Sequence, residues 1–322
     1  MLINNYSRKI NKMIKSADEI YIMGHKYIDL DALGACLGMY YYTTRLKKDT
    51  YIIIDDDSLE LSSKKVVEKV KISTNIIRSC QINDMICKSS LLILVDFNKK
   101  SLAQSPDIID YFENIIIIDH HDTGCGSMDG TLAVIDTNSS STCEMVSDFL
   151  YMNKYPIKGD LPTYLLAGIV LDTNNFVVKS SANTFKIVHL LTEDGAYPKK
   201  VQYILKQDLG EYIERQKVIT NVEVIGNIAF TKGIGRVIYK REDLAKIADT
   251  LLFFNKIEAS FVMGSISKEE VGISARSMGN INVGKIMEQL NGGGNLQEAA
   301  TIFSKDKRKE MEKKLLNIIE LL

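Results

Sequence analysis

Two unbroken apolar runs, 91–95 (LLILV) and 115–118 (IIII), each end on acidic residues, Asp96 after the first and Asp119-His120-His121 after the second. Neither run alternates with polar residues, so neither suits a sheet with one wet face. Both require cover on both faces, which is the environment of parallel strands flanked by helices. Segments 19–23 and 51–54 read as further strands. Helical spacing appears at 32–46, through Leu33, Leu37, Tyr40 and Tyr41, and again at 141–151, 161–171 and 183–193. Strand alternating with helix predicts an α/β fold built on an open, mostly parallel sheet with helices on both faces. Ligands of such sheets bind beyond the carboxyl ends of the strands.

The 322 residues allow two domains. All four prolines (106, 156, 162 and 198) lie at or before 198, and a helical stretch at 207–222, charged on one side, reads as a connector. The expected division is therefore a sheet domain at 1–206, the connector at 207–222, and a smaller α+β domain at 223–322. Within the last, 222–230, 235–239, 258–263 and 270–274 read as short strands. Helices are expected at 244–253, at 283–290 and from 296, and the KDKRKEMEKK run reads as the solvated face of the final one.

Lys+Arg at 40 against Asp+Glu at 41 leaves a formal charge of −1, which argues against a broad basic face for duplex nucleic acid but not against a small phosphate ligand. The five cysteines (36, 80, 87, 125 and 143) contain no C-x-x-C pair, so reduced, mostly buried thiols are expected. MLINNYSRKINK carries no apolar signal-peptide region. The longest apolar stretches, such as 164–171, fall short of the roughly 18 residues a membrane span requires. A soluble cytoplasmic chain is expected.

Only four histidines occur, and three lie beside aspartates at expected strand ends. His25, Asp29 and Asp31 follow the first strand, Asp96 the third, and His120 and His121 the fourth, while Asp172 ends the apolar run 165–171. Four carboxylates converging on one sheet edge repel one another unless a cation joins them. Imidazole with carboxylate suits Mn²⁺ or a similar divalent ion. Two such ions bring +4 against the −4 of Asp29, Asp31, Asp96 and Asp172; Asp29 and Asp31 can face different ions while Asp96 bridges. A two-metal site of this sort activates water against a phosphorus centre. Substrate phosphate then needs further donors. His121 is one candidate and Arg276, beside Ser277, another. Gly292-Gly293-Gly294, ahead of an expected helix, offers N–H groups for an anion. There is no G-x-G-x-x-G and no G-x-x-x-x-G-K-[ST].

The set H-x-x-x-D-x-D at 25–31, V-D at 95–96, D-H-H at 119–121, D-T at 172–173 and the late G-G-G resembles the DHH phosphoesterases, which carry a DHH domain followed by a DHH-associated domain. The segments 23–25 (MGH), 139–144 (SSSTCE) and 273–283 (ISARSMGNINV) are similar to the catalytic part of GdpP-type cyclic di-AMP phosphodiesterases. The resemblance implies two Mn²⁺ ions, with Mg²⁺ or Co²⁺ as substitutes, held by His25, Asp29 and Asp96 and by Asp31, Asp96, His120 and Asp172. It also implies His121 and Asp96 as catalytic residues, and Ser141, Thr142, Arg276, Ser277, Gly292, Gly293, Gly294 and Asn295 as substrate contacts. The implied reaction is hydrolysis of cyclic di-AMP to pApA. A nanoRNase or adenosine bisphosphate phosphatase on the same scaffold, or a weakly active cyclic dinucleotide sensor, are the alternatives. The implied partner is a cyclic dinucleotide or short oligonucleotide, with room for a homodimer. Membrane-bound members carry further segments ahead of this region, so a stand-alone enzyme or the cytoplasmic part of a membrane-anchored protein is expected. The chain departs from the family pattern at Asn295 (G-G-G-N for G-G-G-H), Phe97-Asn98 (for T-H), Lys179-Ser180-Ser181 (for R-T-G) and Asp122.

Overall fold

A computed structural model describes residues 2–55, 59–82, 86–124, 126–235 and 237–322. They form two compact units, Met1–Lys206 and Gln207–Leu322. The first contains strands β1 (Glu19–Met23), β2 (Asp49–Ile53), β3 (Ile76–Ile77), β4 (Leu91–Val95), β5 (Asn114–Asp119) and β6 (Leu132–Ile135). Its helices are α1 (Leu2–Ser16), α2 (Leu30–Arg45), α3 (Leu61–Val70), α4 (Pro106–Ile109), α5 (Thr142–Met152), α6 (Leu161–Asp172), α7 (Ala182–Glu193) and α8 (Pro198–Ile204).

All strand pairs in this unit are parallel, in the order β3-β2-β1-β4-β5-β6. The apolar runs behave as their composition requires. Leu91, Ile93 and Val95 of β4 point into the core under α2, α5 and α6, whereas Leu92 and Leu94 enter a second core with Ile108 and Ile109 of α4. Both faces are dry, so no polar alternation is tolerated. The order reverses between β1 and β4, and at such a switch point the two connections diverge and leave a crevice beyond the strand ends.

The helices over the larger core approach closely through glycines. A Cβ added to Gly34 of α2 would lie 2.6 Å from the Cys143 sulfur of α5, and one added to Gly168 of α6 would lie 2.5 Å from the same sulfur and 2.9 Å from Asp31 Cα. Only glycine permits this three-helix contact.

The second unit carries α9 (Leu209–Ile219), β7 (Glu223–Ile225), β8 (Ile228–Lys232), α10 (Arg241–Leu251), β9 (Ala259–Ser265), β10 (Glu270–Ser277), α11 (Val283–Glu288), β11 (Gly293–Gly294), β12 (Glu298–Ser304) and α12 (Arg308–Ile319). Its sheet runs β11-β12-β10-β9-β8-β7, antiparallel except for β8 with β9. The helix expected at 207–222 as a connector forms as α9, and its Val218 packs with Ala229, Leu244 and Ile247 in the core of this unit. Several expectations need correction here. The expected strand at 222–230 is the hairpin β7–β8, which turns at Gly226 with φ of +60°. No strand forms among the described residues of 235–239; Arg236 lies outside them. The glycine triplet leads into a strand, not a helix, and the last helix begins at Arg308. Of the cysteines, 36 and 143 are buried and 80 and 87 exposed, all free, while Cys125 lies outside the described residues.

Gly168→Ala is expected to destabilise the protein by about 1–3 kcal/mol, the usual cost of overpacking, seen as a lower thermal midpoint. Cys143→Ala in the same chain should return part of the loss. An unchanged midpoint for Gly168→Ala alone would contradict the close packing.

Candidate metal centre

The carboxyl ends of β1, β4 and β5 and the termini of three helices bring six side chains together. His25 follows β1. Asp29 is the N-cap of α2, its Oδ1 accepting from the backbone N–H of Asp31 at 2.9 Å and of Ala32 at 3.0 Å. Asp31, in the first turn of α2, is fully buried and accepts from the Thr142 and Cys143 N–H groups at 2.7 and 2.8 Å. These amides, at the start of α5, have no partner within the helix, a position that favours an anion. Asp172 is the last residue of α6, so it reaches the cluster from a helix and not from a strand end.

Asp96 stands at the centre, buried, directly after β4 with φ of +68°, a left-handed conformation that costs energy for a non-glycine residue. Its backbone N–H still donates to Ile118 O of β5 at 2.9 Å. The two carboxylate oxygens face opposite partners. Oδ2 lies 3.4 Å from His25 Nε2, and Oδ1 lies 3.4 Å from His120 Nε2 and accepts from the Thr142 hydroxyl at 2.9 Å. His25 Nε2 is also 3.6 Å from Asp29 Oδ1; His120 Nε2 is 3.0 Å from Asp172 Oδ2 and 4.0 Å from Asp31 Oδ2.

Three overlapping triads result among the described residues, His25–Asp29–Asp96, Asp31–His120–Asp172 and Asp96–His120–His121, each with its ligand atoms within 4.8 Å of one another. Both ring nitrogens of His120 are buried and neither makes a hydrogen bond of good geometry, although Nε2 lies 3.0 Å from Asp172 Oδ2. Such an orphan is costly unless something else engages it. His25 Nδ1 lies 2.7 Å from the Lys26 carbonyl, which can only accept. Nδ1 therefore carries a proton, so Nε2 is the nitrogen that would offer its lone pair to an ion between Asp29 and Asp96 once its own proton is displaced. Neighbouring ligands about 2.1 Å from a common ion lie about 3 to 3.5 Å apart, so the donor set fits divalent cations.

Residues 19–169 match the DHH family N-terminal domain and residues 207–321 match the DHHA1 domain. The chain belongs to the DHH family. It is 33% identical over 321 residues to the cyclic-di-AMP phosphodiesterase GdpP of Geobacillus thermodenitrificans, covering 97% of this chain but 49% of that protein. The chain thus spans about half the length of that relative. It is 26% identical to the bifunctional oligoribonuclease and PAP phosphatase NrnA of Thermus thermophilus, covering 98% of this chain and 94% of that one. An exopolyphosphatase-related protein from Bacteroides fragilis shares the fold, with a TM-score of 0.82 at 20% identity over 98% of this chain and 97% of that one. Among the described residues no helix is long and apolar enough to cross a membrane.

The name-giving D-H-H of this family member contains a residue that motif reasoning passed over. Asp119 is fully buried, accepts from His121 Nδ1 at 2.8 Å, and is itself held by Asn98 Nδ2 at 2.7 Å. His121 is thereby oriented with half its side chain exposed, 3.7 Å from Asp96. Asn98, which departs from the usual T-H, has this supporting task. Ser141 and Thr142 were expected to touch substrate, but both are fully buried. Ser141 caps α5 by accepting from Glu144 N–H, and Thr142 holds Asp31 and Asp96. Glu144, also buried, ties the start of α5 to α7 by accepting from Asn183 Nδ2 at 2.7 Å and Thr184 Oγ1 at 2.9 Å.

The expected substrate contacts of the second unit are partly engaged locally. The Arg276 guanidinium on β10 donates to Asp249 Oδ1 at 2.9 Å, and the buried Ser277 hydroxyl accepts from Gly279 N–H. Gly292 precedes β11, Gly293 and Gly294 pair with Ala300 and Ala299, and the Asn295 side chain accepts from the N–H groups of Gln297 and Glu298. Asn295 therefore caps the β11–β12 turn and no helix.

Burial disfavours charge on His25 and His120, yet Asp29 and Asp96 hold the first, and Asp172 and Asp96 the second, well above the ordinary imidazole value. Burial, then Asp96 and Asp172, pushes Asp31 well above the carboxylate range, and Asp172 is pushed up to about 6, mainly by burial. Asp96, despite its burial, is held well below by the surrounding histidines. Raised groups contribute stability when protonated and lose it as pH rises through their folded values, Asp172 by about 6 and the histidines above their ordinary value. The metal-free protein should therefore lose thermal stability as pH rises through about 6 and on beyond the ordinary imidazole value, whereas Asp96, held low, contributes throughout that range and loses its contribution only in more acidic solution. Saturating Mn²⁺ should reverse the trend, because binding displaces protons. Melting curves with and without chelator that superimpose across this range would contradict a metal centre.

Proposed function

We propose that this chain is a manganese-dependent phosphodiesterase that hydrolyses cyclic di-AMP, or a related cyclic dinucleotide, to the linear dinucleotide. The observation that carries the reading is the set of triads around Asp96 and His120, with His120 Nε2 facing the carboxylates of Asp31, Asp96 and Asp172. In this reading His25, Asp29 and Asp96 hold one ion, and Asp31, Asp96, His120 and Asp172 hold the other. When bound, such ions lower the pKa of water and offset the charge that builds on phosphoryl oxygens.

The chain's own groups do the positioning. The α5 amides fix Asp31, the Thr142 hydroxyl fixes Asp96, and Asp119 fixes His121 with Nδ1–H as donor. That leaves Nε2 of His121 as the end available to a substrate oxygen. Burial tends to discharge His121, but Asp119 and Asp96 raise it above the ordinary value, so near neutral pH it can donate a proton or a charged hydrogen bond. The GdpP relative supports a cyclic dinucleotide as substrate, through a region matching nearly all of this chain. The NrnA relative favours a second reading, oligoribonuclease and PAP phosphatase, since that match spans both proteins almost end to end.

Incubation with Mn²⁺ and separately with cyclic di-AMP, pApA and pAp, followed by chromatography, separates the two. Conversion of cyclic di-AMP to pApA, faster than any loss of pAp, is expected. Loss of pApA and pAp with cyclic di-AMP intact would establish the second reading, and no loss of any would end both. His121→Ala should lower kcat about 10²-fold, in the lower range for general acid–base catalysis, with Mn²⁺ affinity nearly kept.

A further inference from the structure

Beyond Asp172 the chain leaves α6 by an uncommon route. Asn174, Asn175 and Phe176 have φ of +45°, +57° and +69° in succession, a left-handed turn that L-residues normally adopt one at a time. Local hydrogen bonds hold it. Asn175 N–H donates to Val170 O at 2.9 Å, Phe176 N–H to the Thr173 hydroxyl at 3.0 Å, and Val178 N–H to Thr173 O at 3.0 Å. Strained backbone of this sort collects at ligand-binding positions, where the surrounding structure overrides local preference.

The turn sets out an apolar surface that the metal ligands do not use. The Phe176 ring meets the Phe185 ring of α7 with centroids 5.6 Å apart. Phe185 is 54% exposed, Val177 57% and Val178 39%. Large apolar side chains left in water are a cost unless a ligand covers them. Position says which ligand. Phe176 is four residues beyond Asp172, so its Cα lies within about 14 Å of that ligand candidate, and α7 is tied through Asn183 and Thr184 to Glu144 at the same helix start that anchors Asp31. Beside a phosphate-binding centre, a flat aromatic surface suits a nucleobase, since every base has a face that can stack.

We propose that Phe176 and Phe185, with Val177 beside them, form a stacking platform for one base of the substrate. The proposal rests on the phosphodiesterase reading and deepens it. Phe and Val side chains carry no hydrogen-bonding groups, so the platform registers the presence of a base and not its identity. Selectivity for base-bearing over bare phosphodiesters then comes from α7 and the turn before it.

The test compares the full chain with Phe185→Ala and Phe185→Tyr in Mn²⁺, using cyclic di-AMP and the same cyclic backbone without bases. Loss of one stacked base should lower the base-bearing to abasic ratio of kcat/KM about tenfold in Phe185→Ala, chiefly through KM, and Phe185→Tyr should restore it. A ratio within twofold of the wild type, or a Tyr variant as impaired as Ala, would overturn the platform while leaving the phosphodiesterase reading in place. If the wild type cleaves neither compound, it is that reading which fails. Equilibrium dialysis of cyclic di-AMP in Ca²⁺ then decides the platform, with about tenfold weaker binding to Phe185→Ala in its favour, and equal or absent binding against it.

Discussion

The Asp96 carboxylate is the interaction on which the candidate metal centre depends. It is buried, its backbone is in a left-handed conformation, and its two oxygens address different histidines. An isolated carboxylate in such a place would be expelled or protonated. It stays charged because His25, His120 and the Thr142 hydroxyl surround it, each delivered by a different element. That delivery follows from the sheet. β1 and β4 are neighbours at the point where strand order reverses, so the loops carrying His25 and Asp96 leave adjacent strand ends in diverging directions. β5, on the other side of β4, supplies His120 and His121.

The helices complete what the strands begin. Asp31 is anchored by the first amides of α5, and α5 can come that close to α2 and α6 because Gly34 and Gly168 leave room for the Cys143 sulfur. Burial keeps the Cys143 thiol protonated, and it donates to Asp31 O at 3.2 Å. Glu144 then links the same helix start to α7, the helix that carries Phe185. The packing of three helices and the placement of two carboxylates are therefore one problem, solved together.

Much of this was legible in the sequence, for physical reasons. The runs at 91–95 and 115–118 are too apolar for anything but a strand covered on both faces, and an acid directly after each must sit at the carboxyl edge. The six ligand candidates and their convergence follow from that. What stayed hidden depends on contacts distant in sequence. The run before Asp172 reads as a helix, but nothing in it says that this helix ends against the strand ends of the sheet. Thr142 and Ser141 look like surface donors until burial shows that they hold the site together. The glycine triplet suggests an anion cradle, but Gly292 and Gly294 lie against the backbone of β12, at 2.3 Å from the Ala300 and Glu298 carbonyl oxygens for an added Cβ, which is what requires glycine there. The left-handed turn at 174–176 has no sequence signature beyond two asparagines, which tolerate that region.

The account stands on Asp96 joining two cation sites. Manganese binding measured by equilibrium dialysis, on the chelator-stripped wild type and on Asp96→Ala, tests it most directly. Two Mn²⁺ per wild-type chain are expected, falling to one or none in the variant, with the fold retained by circular dichroism. Fewer than two ions bound to the wild type at millimolar Mn²⁺, or two ions bound to Asp96→Ala with unchanged affinity, would contradict it.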